Sequence, residues 1–216
     1  MPVTAVYALP YPSLSDTADV PRDIQALAVK LDALSLVPTV VTALPGSPVD
    51  GQEIYYQSAA MATAGVAWHL RYRAGATGSY KWEFLGGAPI SAEYLPLETF
   101  NSANPSVWFG INANDPKLNV PLAGDYDAQH SVAMTVSSAG IVSTGLRVAG
   151  TEPVSGTNNM NVTVAAGGWG AATQRRRITA LAANAELAQR YLHSAAGAAN
   201  FSRLSAHMAV WPVRVG

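Results

Sequence analysis

Between residues 66 and 84 the chain alternates. Val66, Trp68, Leu70 and Tyr72 are interleaved with Ala67, His69, Arg71 and Arg73. After Gly75-Ala76-Thr77-Gly78-Ser79, Tyr80, Trp82 and Phe84 are interleaved with Lys81 and Glu83. A period of two puts the apolar side chains on one face of an extended strand and the charges on the other. A helix would scatter the same residues around its axis. Two such runs about a glycine-containing loop predict a β-hairpin, with Arg71, Arg73, Lys81 and Glu83 on its polar face. Gly86-Gly87 and Pro89 end it.

The flanking sequence extends this into a mainly β chain. Pro45-Gly46-Ser47-Pro48 and Asp50-Gly51 are turns, and Ile54-Tyr55-Tyr56-Gln57 is a short strand. Residues 39–95 therefore read as a small antiparallel β module. A stretch containing Pro96, Asn101, Ser102, Asn104 and Pro105 reads as a boundary. Charge changes sign across it, with nine acids and five bases in 1–100 but five acids and eight bases in 101–216.

Residues 100–216 read as a C-terminal β-sandwich, jelly-roll-like in strand number. Val107 to Ile111 is short and apolar. After the turn at Ala123-Gly124-Asp125, Tyr126, Ala128, His130, Val132, Met134 and Val136 share one face of a long strand. Ile141–Val148, Asn161–Ala165, Gln174–Leu181, Leu187–His193 and Phe201–Val215 are further strands. The alanine-rich run Ile178–Ala188 is a competing helix. No fixed-period repeat is present.

The N-terminus differs. Leu9-Pro10-Tyr11-Pro12 disfavours helix, so residues 1–18 read as an extended arm. Val6, Tyr7, Leu9 and Tyr11 make it too apolar for a free tail and predict docking against a partner. A helix follows over 19–37, with Asp19 at the N-cap and Pro21 and Asp23 in the first turn. Ile24, Leu27, Leu31 and Leu34 follow a 3-4-3 spacing. That spacing suits an amphipathic helix packed on its own domain or a short parallel coiled coil joining subunits.

Composition excludes several classes. The net charge of −1 rules out a nucleic-acid binder by bulk charge. The chain has no cysteine, so it is neither a disulfide scaffold nor a thiolate metal site. No basic n-region precedes an apolar run, and no run reaches the length of a membrane span, so no membrane insertion is expected. Charged residues are only 12% of the chain, about half the usual share for a soluble domain.

Candidate chemistry is thin. His69, His130, His193 and His207 lie in strands without metal-ligand spacing. Asp125 and Asp127 share a strand face, as a carboxylate pair or as turn chemistry. Arg175-Arg176-Arg177 places two guanidinium groups on one face and one on the other, and reads as ion pairing at a surface or interface. Gly167-Gly168-Trp169-Gly170 lacks the Lys-Ser/Thr of a phosphate loop. Trp169 there either stacks on a sugar or tucks into a core. The Asn161-Val162-Thr163 and Asn200-Phe201-Ser202 sequons read as chance. No catalytic residue, cofactor or metal is expected.

Tyr7-Ala8-Leu9-Pro10-Tyr11-Pro12, Ser15-Asp16 and Val20-Pro21-Arg22-Asp23-Ile24-Gln25-Ala26-Leu27-Ala28 resemble the opening of phage virion appendage proteins. These are the minor tail proteins or tail fibres of phages of actinobacteria. Pro48-Val49-Asp50-Gly51-Gln52-Glu53-Ile54-Tyr55-Tyr56, Trp68-His69-Leu70-Arg71-Tyr72 and Tyr80-Lys81-Trp82-Glu83-Phe84-Leu85-Gly86-Gly87 are similar to their next segments, and Pro212-Val213-Arg214-Val215 to their ends. The resemblance covers residues 7–90 and is compositional from 100 to 210. It implies a non-enzymatic virion protein. Such a protein is a homotrimer joined along Ile24, Leu27, Leu31 and Leu34, with its arm docked on other virion proteins. Its C-terminal β domain then faces the host, with a cell-surface glycan as partner and Trp169 as candidate contact. The absence of a long shaft keeps a capsid decoration or head-fibre protein, bound through the arm, as the alternative.

Overall fold

The computed structural model describes residues 19–33, 39–95, 97–102, 106–111, 115–154, 159–194 and 199–216. The expected arm residues Val6, Tyr7, Leu9 and Tyr11 lie outside them, as do Leu34 and the side chain of Leu31. In chain order the elements are α1 (Val20–Ala33), β1 (Thr39–Val41), β2 (Glu53–Tyr56), α2 (Ala59–Thr63), β3 (Trp68–Tyr72), β4 (Trp82–Gly87), β5 (Ile90–Tyr94) and β6 (Glu98–Ser102). There follow β7 (Lys117–Asn119), β8 (Gly124–Val136), β9 (Gly140–Val148), β10 (Asn159–Val164), β11 (Trp169–Leu181), β12 (Glu186–His193) and β13 (Ala199–Val215).

The fold is mainly β and sandwich-like. One sheet runs β1-β2-β3-β4-β13-β8-β11, with β5 and β6 also on β13, and the other runs β10-β9-β12-β7. β13 is the spine of the larger sheet. Along one edge it pairs β8 from end to end. Along the other it meets β6 through Ala199–Arg203, β5 through Ala206–Val210, and β4 through Arg214–Val215. β8 alternates buried and half-buried residues along its whole length, as its sequence predicts. Tyr126, Ala128, His130, Val132, Met134 and Val136 are its buried face.

The predicted hairpin is β3–β4. Trp68 is fully buried, and its Nε1–H donates to the Ala88 carbonyl at 3.1 Å. Gly87 is required here: its φ is +128°, and a Cβ would strike the backbone of Ala67.

Several expectations are corrected. The 39–95 module is not wholly antiparallel, because β1 pairs β2 in parallel. The long connection between Val41 and Glu53 makes that crossover possible. The short helix α2 was not anticipated; Ser58 caps it by accepting from the Met61 N–H at 3.3 Å. The alanine-rich run forms no helix: β11 extends to Leu181 and β12 starts at Glu186. Pairing with β8 and β9 outweighs the local helix propensity of alanine. Val107–Ile111 forms only an isolated bridge, Phe109 to Tyr191.

The proline- and asparagine-containing stretch near residue 100 separates segments of chain, not cores. β4, β5 and β6 hydrogen-bond into β13. One cluster joins Ile54, Trp68, Leu70 and Trp82 to Tyr126, Leu146, Leu187 and Val210. A second holds Val132, Met134, Val142, Tyr191 and Phe201 between the sheets, with Phe100 and Phe109 against it.

Candidate functional site

The outer face of the larger sheet carries an ordered charge pattern. Cross-strand register aligns Glu53, Arg71, Glu83, Arg214 and Asp125 over β2, β3, β4, β13 and β8. Directly opposed residues share a face, so signs alternate from strand to strand. Next to this row Trp211 opposes Asp127, and Asp127 opposes Arg177.

Two carboxylates each serve two arginines. Glu83 Oε2 accepts from Arg71 Nη2 at 3.0 Å and from Arg73 Nε at 3.2 Å. Asp127 accepts from Arg177 Nε at 2.7 Å and from Arg175 Nη2 at 3.0 Å. Hydrogen bonds from Arg71 and then Arg73 hold the Glu83 carboxyl below its ordinary range. Those from Arg177, then Arg175, do the same for Asp127 against the opposing effect of burial. The Arg175 guanidinium lies over Trp211, 5.2 Å from the ring centroid. Arg214 makes no side-chain hydrogen bond or ion pair with any described residue. A cleft of about 350 Å³ opens among Glu83, Phe84, Asp127, Arg175, Trp211 and Arg214. A second, of about 340 Å³, adjoins it and shares Glu83 and Arg214.

Asp125 and Asp127 do share a face, as their spacing predicts, but each is engaged. Asp125 Oδ1 accepts from the Ala180 N–H at 2.9 Å. This secures the irregularity in β11 where Ala180 takes a φ of 56°. Arg175 and Arg177 face outward into ion pairs, and Arg176 turns to the other face, half-buried.

The histidines are dispersed. His69 Nε2 lies 2.8 Å from Glu53 Oε2, and its ring stacks on Tyr55 at 4.9 Å. His130 is fully buried, with Nε2 3.2 Å from Gln174 Oε1. Burial pushes its pKa down to about 4, and the neighbouring Arg176 charge acts in the same sense. His193 is buried against Phe201, ring centroids 4.8 Å apart. Among the described residues, no three His, Asp or Glu side chains gather as a metal site would need. Trp169, at 56% exposure, is solvent-facing at the start of β11 and away from the charged row.

Sequence reasoning missed Trp211 and Arg214. They are three residues apart, so strict alternation puts them on opposite faces. The irregularity between Pro212 and Arg214 shifts the register and brings both outward. A proline inside a predicted strand was the available signal. It also missed the interior cluster around Arg203, whose side chain is fully buried. Arg203 donates to Asp115, to Glu98 Oε2 at 2.8 Å and to the Tyr191 hydroxyl at 3.1 Å, and lies 4.1 Å from the Tyr94 ring centroid.

A larger cavity, about 600 Å³, lies apart from these charges. Met61, Val66, Ile90 and Leu118 line it, with Ser58 and Asn184 among its polar groups.

No family model matches the chain, and no curated protein matches it. Solved structures overlap it in part, two of them as follows. The structure of infectious bursal disease virus, Gx strain, matches with a TM-score of 0.39 and 9% identity over 67% of this chain and 38% of that one. The structure of TmCBM61 in complex with beta-1,4-galactotriose matches with a TM-score of 0.23 and 9% identity over 57% of this chain and 70% of that one. The chain thus spans well under half the length of the viral protein. Likenesses this distant leave the functional reading to the chain's own residues.

Proposed function

We propose that the chain is a structural protein of a phage virion: a homotrimeric tail-fibre or minor-tail appendage that presents its β domain to the host surface. The observation that carries this is α1. Its cap is built as expected, with Asp19 Oδ1 accepting from the Arg22 N–H at 3.1 Å. Yet Ile24, at 61% exposure, and Val20, one turn before it on the same face, are left in water, while Leu27 is half-buried. Each such side chain covered by a neighbouring subunit contributes up to about 1.5–3 kcal/mol. A helix this short is marginal alone, so the β domains must also meet.

The resemblance of residues 7–90 supports the particle setting, with residues 1–18 as the anchor to other virion proteins. Light scattering after size exclusion tests the assembly: a mass near three times 22.5 kDa is expected. A monomer at every concentration, with no antibody label on intact particles, overturns the reading. Only residues 34–38 separate α1 from β1, so no shaft lies between helix and β domain. That favours a capsid decoration or head-fibre protein as the second reading, and gold label on the head rather than the tail selects it.

A further inference from the structure

We infer that each copy of this chain seats its helix α1 in an uncharged trough on the outer sheet face of the next copy. This deepens the assembly reading above and rests on it. It makes Trp169 a subunit contact rather than a host contact.

The trough lies at the end of the outer face away from Arg214. β8 turns Ser131, Ala133 and Thr135 to the same side as Asp125 and Asp127. Register sets Ala171 and Trp169 of β11 beside Ala133 and Thr135, with Ser205 and Ser202 of β13 on the other flank. Small side chains floor this region, and none of them is ionisable. Two taller walls bound it. Trp169 stands on β11 at 56% exposure. On β13 the register shift between Arg203 and Ser205 leaves Leu204 outward, at 48% exposure. Leu97 stands beside it, because Glu98 opposes Arg203, and is 62% exposed. Large apolar side chains gathered around uncharged ground mark a contact surface.

The shape fits a helix. β13 and β11 lie two strands apart, which sets the walls about 10 Å apart. A helix with its side chains is about 10–12 Å across. The floor from Thr135 to Gln129 runs about 20 Å along β8. α1, with 14 residues, runs about 21 Å. It also lacks cover: it enters neither core cluster, and Val20 and Ile24 stand in water. Charge sets the direction. Beyond the floor, Arg175 and Arg177 share Asp127, which leaves one positive charge in excess. At the start of α1, Asp19 and Asp23 share Arg22, which leaves one negative charge in excess. Complementary charges align the first turn of α1 with Arg175. Leu27 then comes over Ala133.

Reach selects a neighbouring copy. Thr39 is level with Ile54, Leu70 and Phe84, and so with Val213, next to the Arg214 that opposes Glu83. From there to Ala133, which opposes Ser205, the path crosses five strands and runs eight residues along β13, about 35 Å. Through six extended steps and six helical ones, Leu27 stands at most about 30 Å from Thr39. A copy's own α1 therefore falls short. A helix passed from each copy to the next makes a head-to-tail contact, which closes as a ring.

The chain has no cysteine, so cross-links can be placed singly. Leu27→Cys and Ala133→Cys chains are co-expressed at full length, and the assembled protein is treated with a short bismaleimide. A linked pair of twice the chain mass is expected from the mixture and from neither variant alone. Leu204→Glu, which puts a charge in the trough, should lower the solution mass. Val29→Glu, on the far side of α1, should leave it unchanged. Four results overturn the inference: Leu27→Cys chains that link to one another, as a parallel coiled coil requires; an oligomer whose mixture gives no link; a double variant that links only within one chain; or an oligomer that keeps its mass in Leu204→Glu. A trimer linked through Leu27 alone sinks the trough and keeps the assembly reading, whereas a monomer at every concentration sinks both.

Discussion

Arg203 and His130 carry opposite electrostatic burdens in the interior. Arg203 is charged, fully buried and surrounded by Asp115, Glu98 and Tyr191. Removing one member of such a cluster strands the others. Arg203→Ala should cost about 3–5 kcal/mol, read from urea unfolding, and a loss below about 1 kcal/mol would contradict this account. His130 is buried neutral. Its pKa is about 4 in the fold and about 6.5 in the unfolded chain. The folded value is depressed, so the contribution is complete above about pH 6.5 and fades as pH falls toward 4. Linkage gives a loss of about 2 kcal/mol between pH 7 and pH 5. In His130→Gln the unfolding midpoints at those two pH values should draw closer together. None of this was legible in the sequence. Arg203 and Asp115 stand 88 residues apart, and nothing local separates a buried strand histidine from an exposed one.

Single strands and helices were more readable. The alternation of β8 appeared in the sequence because one of its faces is wholly buried, which makes every second residue apolar or internally satisfied. Parity failed where the ladder shifts, near Pro212 and at Ile178–Leu181. At the latter Ala180 holds a φ of 56°, which costs an L-residue about 1–2 kcal/mol. Ala180→Gly should therefore raise the stability by up to about 1 kcal/mol, read as a higher urea midpoint, less the flexibility that glycine adds to the unfolded chain. For α1, Ile24→Ser combined with Leu27→Ser should lower the solution mass while the β domain melts unchanged. An oligomer that keeps its mass would show that this helix is not a main assembly element.

Across the molecule, the larger sheet ties the two halves of the chain together. Because β4, β5 and β6 find their partner in β13, a fragment of residues 39–95 should not fold alone. Its amide NMR spectrum should show the narrow dispersion of an unfolded chain; well-dispersed peaks would restore the two-module view. The residue pattern was sufficient for the β class, the β3–β4 hairpin, the capped start of α1 and the buried face of β8. Each depends on neighbours within a few residues, where periodicity and capping act. The parallel β1–β2 pair, the shared core, the Arg203 cluster and the alignment of Arg214 with Glu83 and Asp125 came from pairing of strands distant in the chain. Such pairing is selected by burial and ladder register summed over the whole sheet, and no local stretch of sequence carries that sum.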